Sequence, residues 1–378
     1  MRLIADSGLW VAGQETEPPP LAAVLEVSGA VLSWTIDAAP EAVQITLTDP
    51  ARADWMWRLL GAEGHVALAS ALEEAADPHT VELAGVEIAA ASIASLHRLA
   101  VGHWLRRWWP ASRRDGIAGL DGALLDVEVA VLTSYGQSFF TDDTLDSDVA
   151  GLLRPHAQAL ILHVRDDDAR TRNLVRAGAE LADDLGVDGV GWPELFAALD
   201  DPSMVLDLPT ERRDDYALAA GAGEGPQGAA PIARGVASVH WCGVPARVFD
   251  AAEDTVDWYV EATGSTAVAV VHAAVIGPDP ATGVEVRVLS GTIGGSGALD
   301  ADGRTTVPLL DPQQRPLTES AAWDHDWTNT SVIIGAQASQ APESRETRER
   351  VRRWARARLE RPADDTYLAE IAAGESSY

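Results

Sequence analysis

The feature that most constrains the fold is a change in the spacing of hydrophobic residues past the middle of the chain. Before about residue 220, apolar side chains recur mainly at the period of amphipathic helices. From residue 232 they alternate at every second position, as in "VAVVHAAVI" and "VEVRVLSG", which is typical of strands. The segment "AAGAGEGPQGAAP" lies between the two patterns and has the composition of a linker. We therefore expect an α-helical domain followed by an antiparallel β-sandwich.

The amino-terminal part adds a third pattern. The runs "LAAVLEVSG", "AVLSWTI" and "AVQITLTD" are short and rich in β-branched residues, with turn residues between them. These strands can form a unit of their own or join the sandwich, and the sequence leaves both open. The chain is thus predicted to be an α+β multidomain protein. Its expected parts are a β segment (1–48), a helical domain (49–220), a linker (221–231), a β-sandwich (232–338) and C-terminal helices (342–378).

Helix ends are marked by capping residues, glycine and proline. Asp49 and Pro50 begin a predicted helix, "ARADWMWRLLG", that ends at Gly61. A second predicted helix is stopped by Pro110, and the helix that follows it is apolar on two sides, which is typical of the centre of a bundle. The predicted helices after the first cover residues 92–109, 120–140, 148–165, 167–185, 192–200, 211–220 and 343–362.

The composition of basic residues excludes several enzyme classes. All 28 basic residues are arginine, and the chain contains no lysine. P-loop nucleotide hydrolases, protein kinases, pyridoxal enzymes and Schiff-base aldolases each need a lysine amine. The formal net charge of −30 opposes binding to nucleic acids and to anionic membranes, so neither is an expected partner.

Other properties of the sequence favour a cytoplasmic protein. No apolar run is long enough to span a bilayer, and the amino-terminal residues lack the pattern of a secretory signal. The one cysteine, Cys242, permits no internal disulfide bond, which agrees with a reducing compartment.

Two stretches resemble known groups of proteins. The string "HWLRRWWPASRRDGI", with "LDGALLDVEVAVLTSYGQSFFTDDTLDSD" after it, resembles uncharacterised actinobacterial proteins associated with multi-gene regulatory or conflict systems. The stretch "SGTIGGSGALDADGRTTVPLLD" resembles the strand, turn and strand of immunoglobulin-like and transthyretin-like modules over about twenty residues. The second resemblance implies a β-sandwich. Neither supplies catalytic residues.

The histidines do not have the spacing of a helical metal site. None lies in an H-E-x-x-H or E-x-x-H motif. His156 and His163 share a helix face but lie about 10 Å apart along the axis, too far for one ion. His97 falls on an apolar stripe and is expected to be a core residue that bonds to a neighbour. The acids of "TDDTLDSD" are expected to cap a helix. We therefore predict no metal and no cofactor.

Two short strings keep an enzymatic alternative open. In "AWDHDW", a strand would place His325 on one face and Asp324 and Asp326 on the other, whereas a loop would let all three converge as a general base or a metal site. In "VHWCG", a strand would place His240 beside Cys242, but no orienting third group is visible in the sequence. A structural role is the simpler interpretation of both strings.

Two arginine- and tryptophan-rich segments are the candidate docking surfaces. In "HWLRRWWPASRR" the ordinary interpretation is a helix end followed by a loop, because cations complement a helix carboxyl terminus. Arginine and tryptophan are also enriched at interface hot spots. The C-terminal helix offers a similar surface beside its apolar edge. The predicted docking residues are Arg106, Arg107, Trp109, Arg113, Arg114, Arg352, Arg353 and Trp354.

The function expected from these features is that of a non-enzymatic adaptor or scaffold in a cytoplasmic assembly, with protein partners or a second copy of itself. One alternative is a hydrolase or metal-dependent enzyme that uses the Asp324/His325/Asp326 region. The other is a carbohydrate-binding module, which needs two or more exposed tryptophan rings in one groove.

Overall fold

A computed structural model describes residues 1–74, 80–88, 90–140, 145, 149–165, 168–200, 230–336 and 343–376. The chain divides into two compact units that are not continuous in sequence. The first comprises residues 1–109, 120–205 and 347–378, and the second comprises residues 110–119 and 206–346. Helices and antiparallel sheets are both present, which confirms the predicted α+β class.

The strands of the first unit form one six-stranded sheet, in the order β3-β4-β5-β2-β1-β6. All of its pairs are antiparallel. The amino-terminal strands therefore pair with one another and with β6, and no strand of the sandwich belongs to their sheet. The strands are β1 (Arg2–Asp6), β2 (Leu9–Gly13), β3 (Ala22–Val27), β4 (Ala30–Thr35), β5 (Gln44–Leu47) and β6 (Thr80–Glu82).

Alternation along these strands separates a buried face from an outer face. Leu32, Trp34 and Ile45 point inward and are fully buried, as expected when one face of an antiparallel sheet covers a core. Helix α2 packs against β3. The helices of this unit are α1 (Trp57–Glu74), α2 (Ala90–Trp108), α3 (Gly122–Gln137), α4 (Val149–Leu153), α5 (Ala157–His163), α6 (Ala169–Asp184), α7 (Trp192–Asp200), α9 (Arg345–Glu360, which begins in the second unit) and α10 (Leu368–Glu375).

Two of the predicted helices differ in the structure. The segment before Trp57 forms two short 3-10 turns. The helical turn that follows ends at Gly61, as predicted, because this glycine has the non-helical angles φ 73° and ψ 166°. A second helical segment then continues to Glu74, so α1 is two helices joined across a kink. Glycine tolerates that conformation without steric cost. The predicted helix 148–165 is broken by a 3-10 turn over Arg154–His156, where Pro155 lies. The predicted helix 211–220 lies outside the described residues.

Helix α3 is central to the first unit, as its two apolar sides predict. Asp121 caps its amino terminus by accepting from the backbone N–H groups of Ala123 and Leu124. It packs against α2, α4, α6 and α10. Gly102 on α2 permits close packing, because a Cβ at this position would lie 2.7 Å from Val129 of α3.

The second unit is a two-sheet sandwich, with sheets in the orders β11-β10-β13 and β12-β9-β8-β7. Both sheets contribute to one apolar core between residues 232 and 334. Gly295 lets β11 approach β12, since a Cβ there would lie 2.3 Å from the Pro308 carbonyl oxygen. The elements are β7 (Ala233–Ala237), β8 (Val256–Thr263), β9 (Thr266–Ala273), β10 (Glu285–Ser290), β11 (Ile293–Ala298), β12 (Arg304–Pro308), α8 (Glu319–Trp323) and β13 (Thr330–Ile334).

Candidate functional site

The predicted docking residues at the end of α2 are largely engaged inside the first unit. Arg106 donates from Nε to the Asp126 carboxylate at 2.6 Å. The Arg107 guanidinium lies 4.2 Å from the centre of the Trp108 ring. Trp109 is only 5% exposed, so its ring is not offered to a partner in this conformation.

The residues that follow Pro110 belong to the second unit and are held by its acidic turn. Asp250 accepts from the backbone N–H of Arg113 at 2.9 Å, and the Arg114 guanidinium donates to the carbonyl oxygens of Glu253 and Asp254. Both arginine side chains are exposed. Arg113 is therefore the more accessible cation of the pair, whereas Arg114 caps a backbone turn.

Helix α9 uses most of its cations within the first unit. Arg352 is only 3% exposed and pairs with Glu349, while Arg353 is exposed. Trp354 packs edge-on against Trp104 with ring centres 5.0 Å apart. Arg350 binds Glu17 and Asp37, and this hydrogen bonding lowers the pKa of Asp37. Helix α9 is thus packed within the first unit, with Arg353 as its exposed predicted docking residue.

Two carboxylates at α3 each bind one histidine. The Nε2 atom of His156 lies 2.9 Å from Asp126, and that of His163 lies 3.0 Å from Asp121. Burial opposes ionisation of Asp126, but the hydrogen bond to His156 and the Arg106 charge outweigh it, so the pKa of Asp126 is lowered. The seven-residue spacing of the histidines thus matches two carboxylates five residues apart on α3.

His97 is a core residue, as predicted, but its predicted hydrogen-bond partner is not found. Its ring packs edge-on against Trp34 with centres 5.4 Å apart. Within the described part of the chain, its Nε2 atom is buried without a hydrogen-bond partner. Burial lowers the pKa of His97, so the neutral ring is favoured.

The string "AWDHDW" forms neither of the predicted arrangements. Its first residues end helix α8, and Asp324 is the C-cap. Asp326 accepts from the backbone N–H of Thr328, and hydrogen bonding to Thr328 lowers the pKa of this carboxyl. His325 is instead hydrogen-bonded to Ser290, with Nε2 and Oγ 2.9 Å apart.

The Ser290–His325 pair links the end of β10 to the turn after α8. Thr330 donates to the same Ser290 Oγ at 3.1 Å, and Trp327 packs edge-on against the imidazole. Such a pair has the groups of a nucleophile and its base. Ser290 is only 1% exposed, however, so no substrate reaches its oxygen in this conformation. The pair is thus a buried hydrogen bond that holds the end of β10 to the turn after α8.

In the structure, a carboxylate that the sequence did not indicate lies beside His240 and Cys242 of the string "VHWCG". Residues Trp241–Gly243 form a 3-10 turn rather than a strand. Glu343, distant in sequence, accepts from the backbone N–H of Cys242 at 2.7 Å, and its other oxygen lies 3.9 Å from His240 Nδ1. This carboxylate holds the turn and lies at ion-pair distance from the imidazole. It is too far away for the direct hydrogen bond that orients a catalytic histidine.

An exposed aromatic cluster in the first unit was missed by sequence reasoning. Trp57 begins α1 and is 48% exposed, and Tyr135 on α3 is 72% exposed. Arg58, the next residue of α1, connects it to the end of α3: its guanidinium is 5.0 Å from the Trp57 ring centre and 5.7 Å from that of Phe139, and it donates to the Ser138 carbonyl oxygen at 2.7 Å. We call Trp57, Arg58, Tyr135 and Phe139 the aromatic patch.

The only sequence signal for this patch is the aromatic run "DWMWR", since its two halves lie about eighty residues apart. Trp57 and Trp323 are the strongly exposed tryptophans of the described residues, and they belong to different units. Neither unit therefore shows two strongly exposed tryptophan rings for the sugar-binding groove considered above, as far as its described residues go.

Among the described residues, no three histidine, cysteine or acidic side chains converge as possible ligands of one ion. No helix among these residues has the length and apolar character needed to cross a membrane. In comparisons with known proteins, no family model, no curated protein and no solved structure matches this chain.

Proposed function

We propose that this protein is a non-enzymatic adaptor or scaffold in a cytoplasmic assembly, and that it binds a protein partner through the aromatic patch. Tryptophan, tyrosine and arginine are the residues enriched at interface hot spots, and the patch presents all three on the surface of one unit. This observation carries the proposal.

The arrangement of the patch suits binding by a preformed surface. Arg58 is held in place by the Ser138 carbonyl oxygen and by two flanking rings, so little side-chain entropy remains to be lost on binding. Trp57 and Tyr135 remain largely open to solvent. Aromatic rings with a polar handle contribute large contact areas to interfaces.

The test is affinity capture from the source organism with the wild-type protein and matched variants, quantified by mass spectrometry. We expect the double variant Trp57→Ala/Tyr135→Ala to lose at least tenfold of one or more captured proteins. The control Trp323→Ala removes an exposed tryptophan from the second unit and is expected to retain them. Arg113→Glu tests the docking surface predicted from the sequence in the same assay.

All of the substituted side chains are exposed, so each variant is expected to fold, with changes in stability within about 0.5 kcal/mol. Far-ultraviolet circular dichroism and thermal melting check this. Identical sets of captured proteins for the wild type and the Trp57→Ala/Tyr135→Ala variant would contradict the proposed role of the patch.

A further inference from the structure

The outer face of the six-stranded sheet carries a second unusual surface. The strand registers align Val31, Thr46, Val11 and Ile4 side by side across β4, β5, β2 and β1. Val24 on β3 and Leu9 on β2 lie on the same face by alternation. We call these six residues, of which five are apolar and the sixth is Thr46, the apolar stripe. Ile4 is 47% exposed and Val24 is 43% exposed.

The stripe contains no charged residue, although nearly a quarter of the chain is charged. An outer sheet face in contact with water normally carries polar side chains. The cores of protein–protein interfaces have the composition of this stripe, because they are depleted of charged residues and more apolar than the rest of the surface. Beside the stripe, the loop residue Thr16 is hydrogen-bonded to Ser33 and Gln44 and covers them. This covered part of the sheet face is distinct from the stripe.

Charged residues lie at the margins of the stripe and are mostly acidic. Glu26 is directly opposite Val31 on β3, and Asp6 follows Ile4 on the same face of β1. Arg2 is the cation at this margin and lies opposite Glu82 of β6, which balances it locally. Together with the net charge of −30, this rim favours a basic partner.

The dimensions of the stripe match a helix better than a second sheet. Five strands at a spacing of about 4.8 Å span about 19 Å, which corresponds to about 13 residues of helix at ~1.5 Å per residue. Val31, Thr46, Val11 and Ile4 share one row, whereas Val24 and Leu9 lie in the rows on either side of it. The strip is therefore somewhat wider than one helix diameter of about 10 Å. A stable dimer buries about 800 Å² on each partner, more than a strip of this size provides.

We propose that the apolar stripe binds a basic amphipathic helix of a partner protein. The apolar side of that helix would lie on Val24, Val31, Val11 and Ile4, and its flanking arginine or lysine residues would face Glu26 and Asp6. The inference extends the adaptor role to a second surface. It involves no residue of the aromatic patch, so each proposal can fail without the other.

The test uses the full-length protein and a fluorescein-labelled 14-residue peptide with leucine at helical spacing and arginine elsewhere. We expect this peptide to bind at least tenfold more tightly than a scrambled peptide of the same composition, as measured by fluorescence anisotropy. The variant Ile4→Ser/Val24→Ser is expected to weaken binding at least tenfold. The control Val190→Ser removes an exposed valine elsewhere in the first unit and is expected to leave binding unchanged.

Three outcomes would overturn the proposal. Equal binding of the ordered and scrambled peptides would show that charge attraction alone causes the binding. Equal binding of the ordered peptide to the wild type and to Ile4→Ser/Val24→Ser would show that the peptide binds elsewhere on the protein. A concentration-dependent dimer in sedimentation that Ile4→Ser/Val24→Ser abolishes would assign the stripe to a second copy of the chain. Because aromatic-patch variants are absent from this assay, its failure is distinguishable from a failure of the capture experiment.

Discussion

Among single residues, Asp126 holds two side chains at once, and the substitution Asp126→Asn tests its contribution. Asparagine keeps the size but not the charge that binds Arg106 and His156. We expect a loss of about 1–3 kcal/mol in the free energy of unfolding at pH 7, the usual range for a buried polar group left without its partner. Urea unfolding followed by tryptophan fluorescence measures it.

The lowered pKa of Asp126 fixes the sign of the pH dependence. A carboxyl whose folded pKa is lowered stabilises the fold fully above its unfolded pKa of about 3.9, and this stabilisation disappears as the pH falls through the folded pKa. The stability difference between wild type and Asp126→Asn should therefore shrink below about pH 4. A difference that stays constant from pH 7 to pH 3 would contradict this assignment.

Residue-scale contacts were the part least accessible from the sequence. The spacing of His156 and His163 indicated one helix face, but their carboxylate partners lie 30 and 42 residues away. The same limit applies to Glu343 beside His240 and to Ser290 beside His325. Periodicity places a side chain on a face, and only tertiary packing decides which group it meets there.

At the scale of elements, α10 depends on buried ion pairs. Glu370 is fully buried and binds the Arg358 guanidinium through both oxygens, at 2.6 and 2.8 Å. On the neighbouring side, Glu128 accepts from Arg98 and from the Leu368 N–H, and burial outweighs these contacts and raises the pKa of Glu128. These contacts join α10 to α9, α2 and α3.

The substitution Glu370→Ala leaves Arg358 with one fewer carboxylate in a buried setting, where Asp365 remains its other partner. Removing one partner of a buried pair costs about 3–5 kcal/mol, so we expect a loss toward the lower end of that range. Faster hydrogen exchange of the α10 amides and a lower urea midpoint would show it. Glu375→Ala is the matched control on the same helix, because its contact with Arg170 is exposed. Equal effects of the two substitutions would refute the proposed role of the buried pair.

Elements were predicted more successfully than contacts. Helices α2 and α3 lie within a few residues of their predicted limits, because each has a long apolar periodicity and a proline or an N-cap at an end. Strands β9 and β10 of the sandwich followed from the alternation of "VAVVHAAVI" and "VEVRVLSG". Gly61 ends the first helical segment, as predicted, because its positive φ is non-helical, and a second segment follows it to Glu74. The string "AWDHDW" was too short for periodicity to distinguish a strand from a helix end.

At the scale of the whole molecule, the sequence predicted the fold class but not how the chain is shared between the units. Hydrophobic periodicity reports local structure, whereas membership of a unit depends on long-range contacts. Residues 110–119 lie in the second unit because Asp250 and its neighbours bind them. Residues 347–378 return to the first unit, where Val351, Tyr367 and Leu368 are buried.

This division of the chain between the two units predicts how fragments of the protein will behave. The sandwich core lies between residues 232 and 334, so a fragment of residues 230–346 is expected to unfold cooperatively by itself. A fragment of residues 1–205 lacks α9 and α10 and would expose Trp104, which Trp354 covers, and the site on Arg98 that Tyr367 occupies. We expect it to lack a cooperative thermal transition and to regain one when co-expressed with residues 343–378. A cooperative transition of the 1–205 fragment alone would show that the C-terminal helices are accessories to the first unit. The expected result would show that they complete its core.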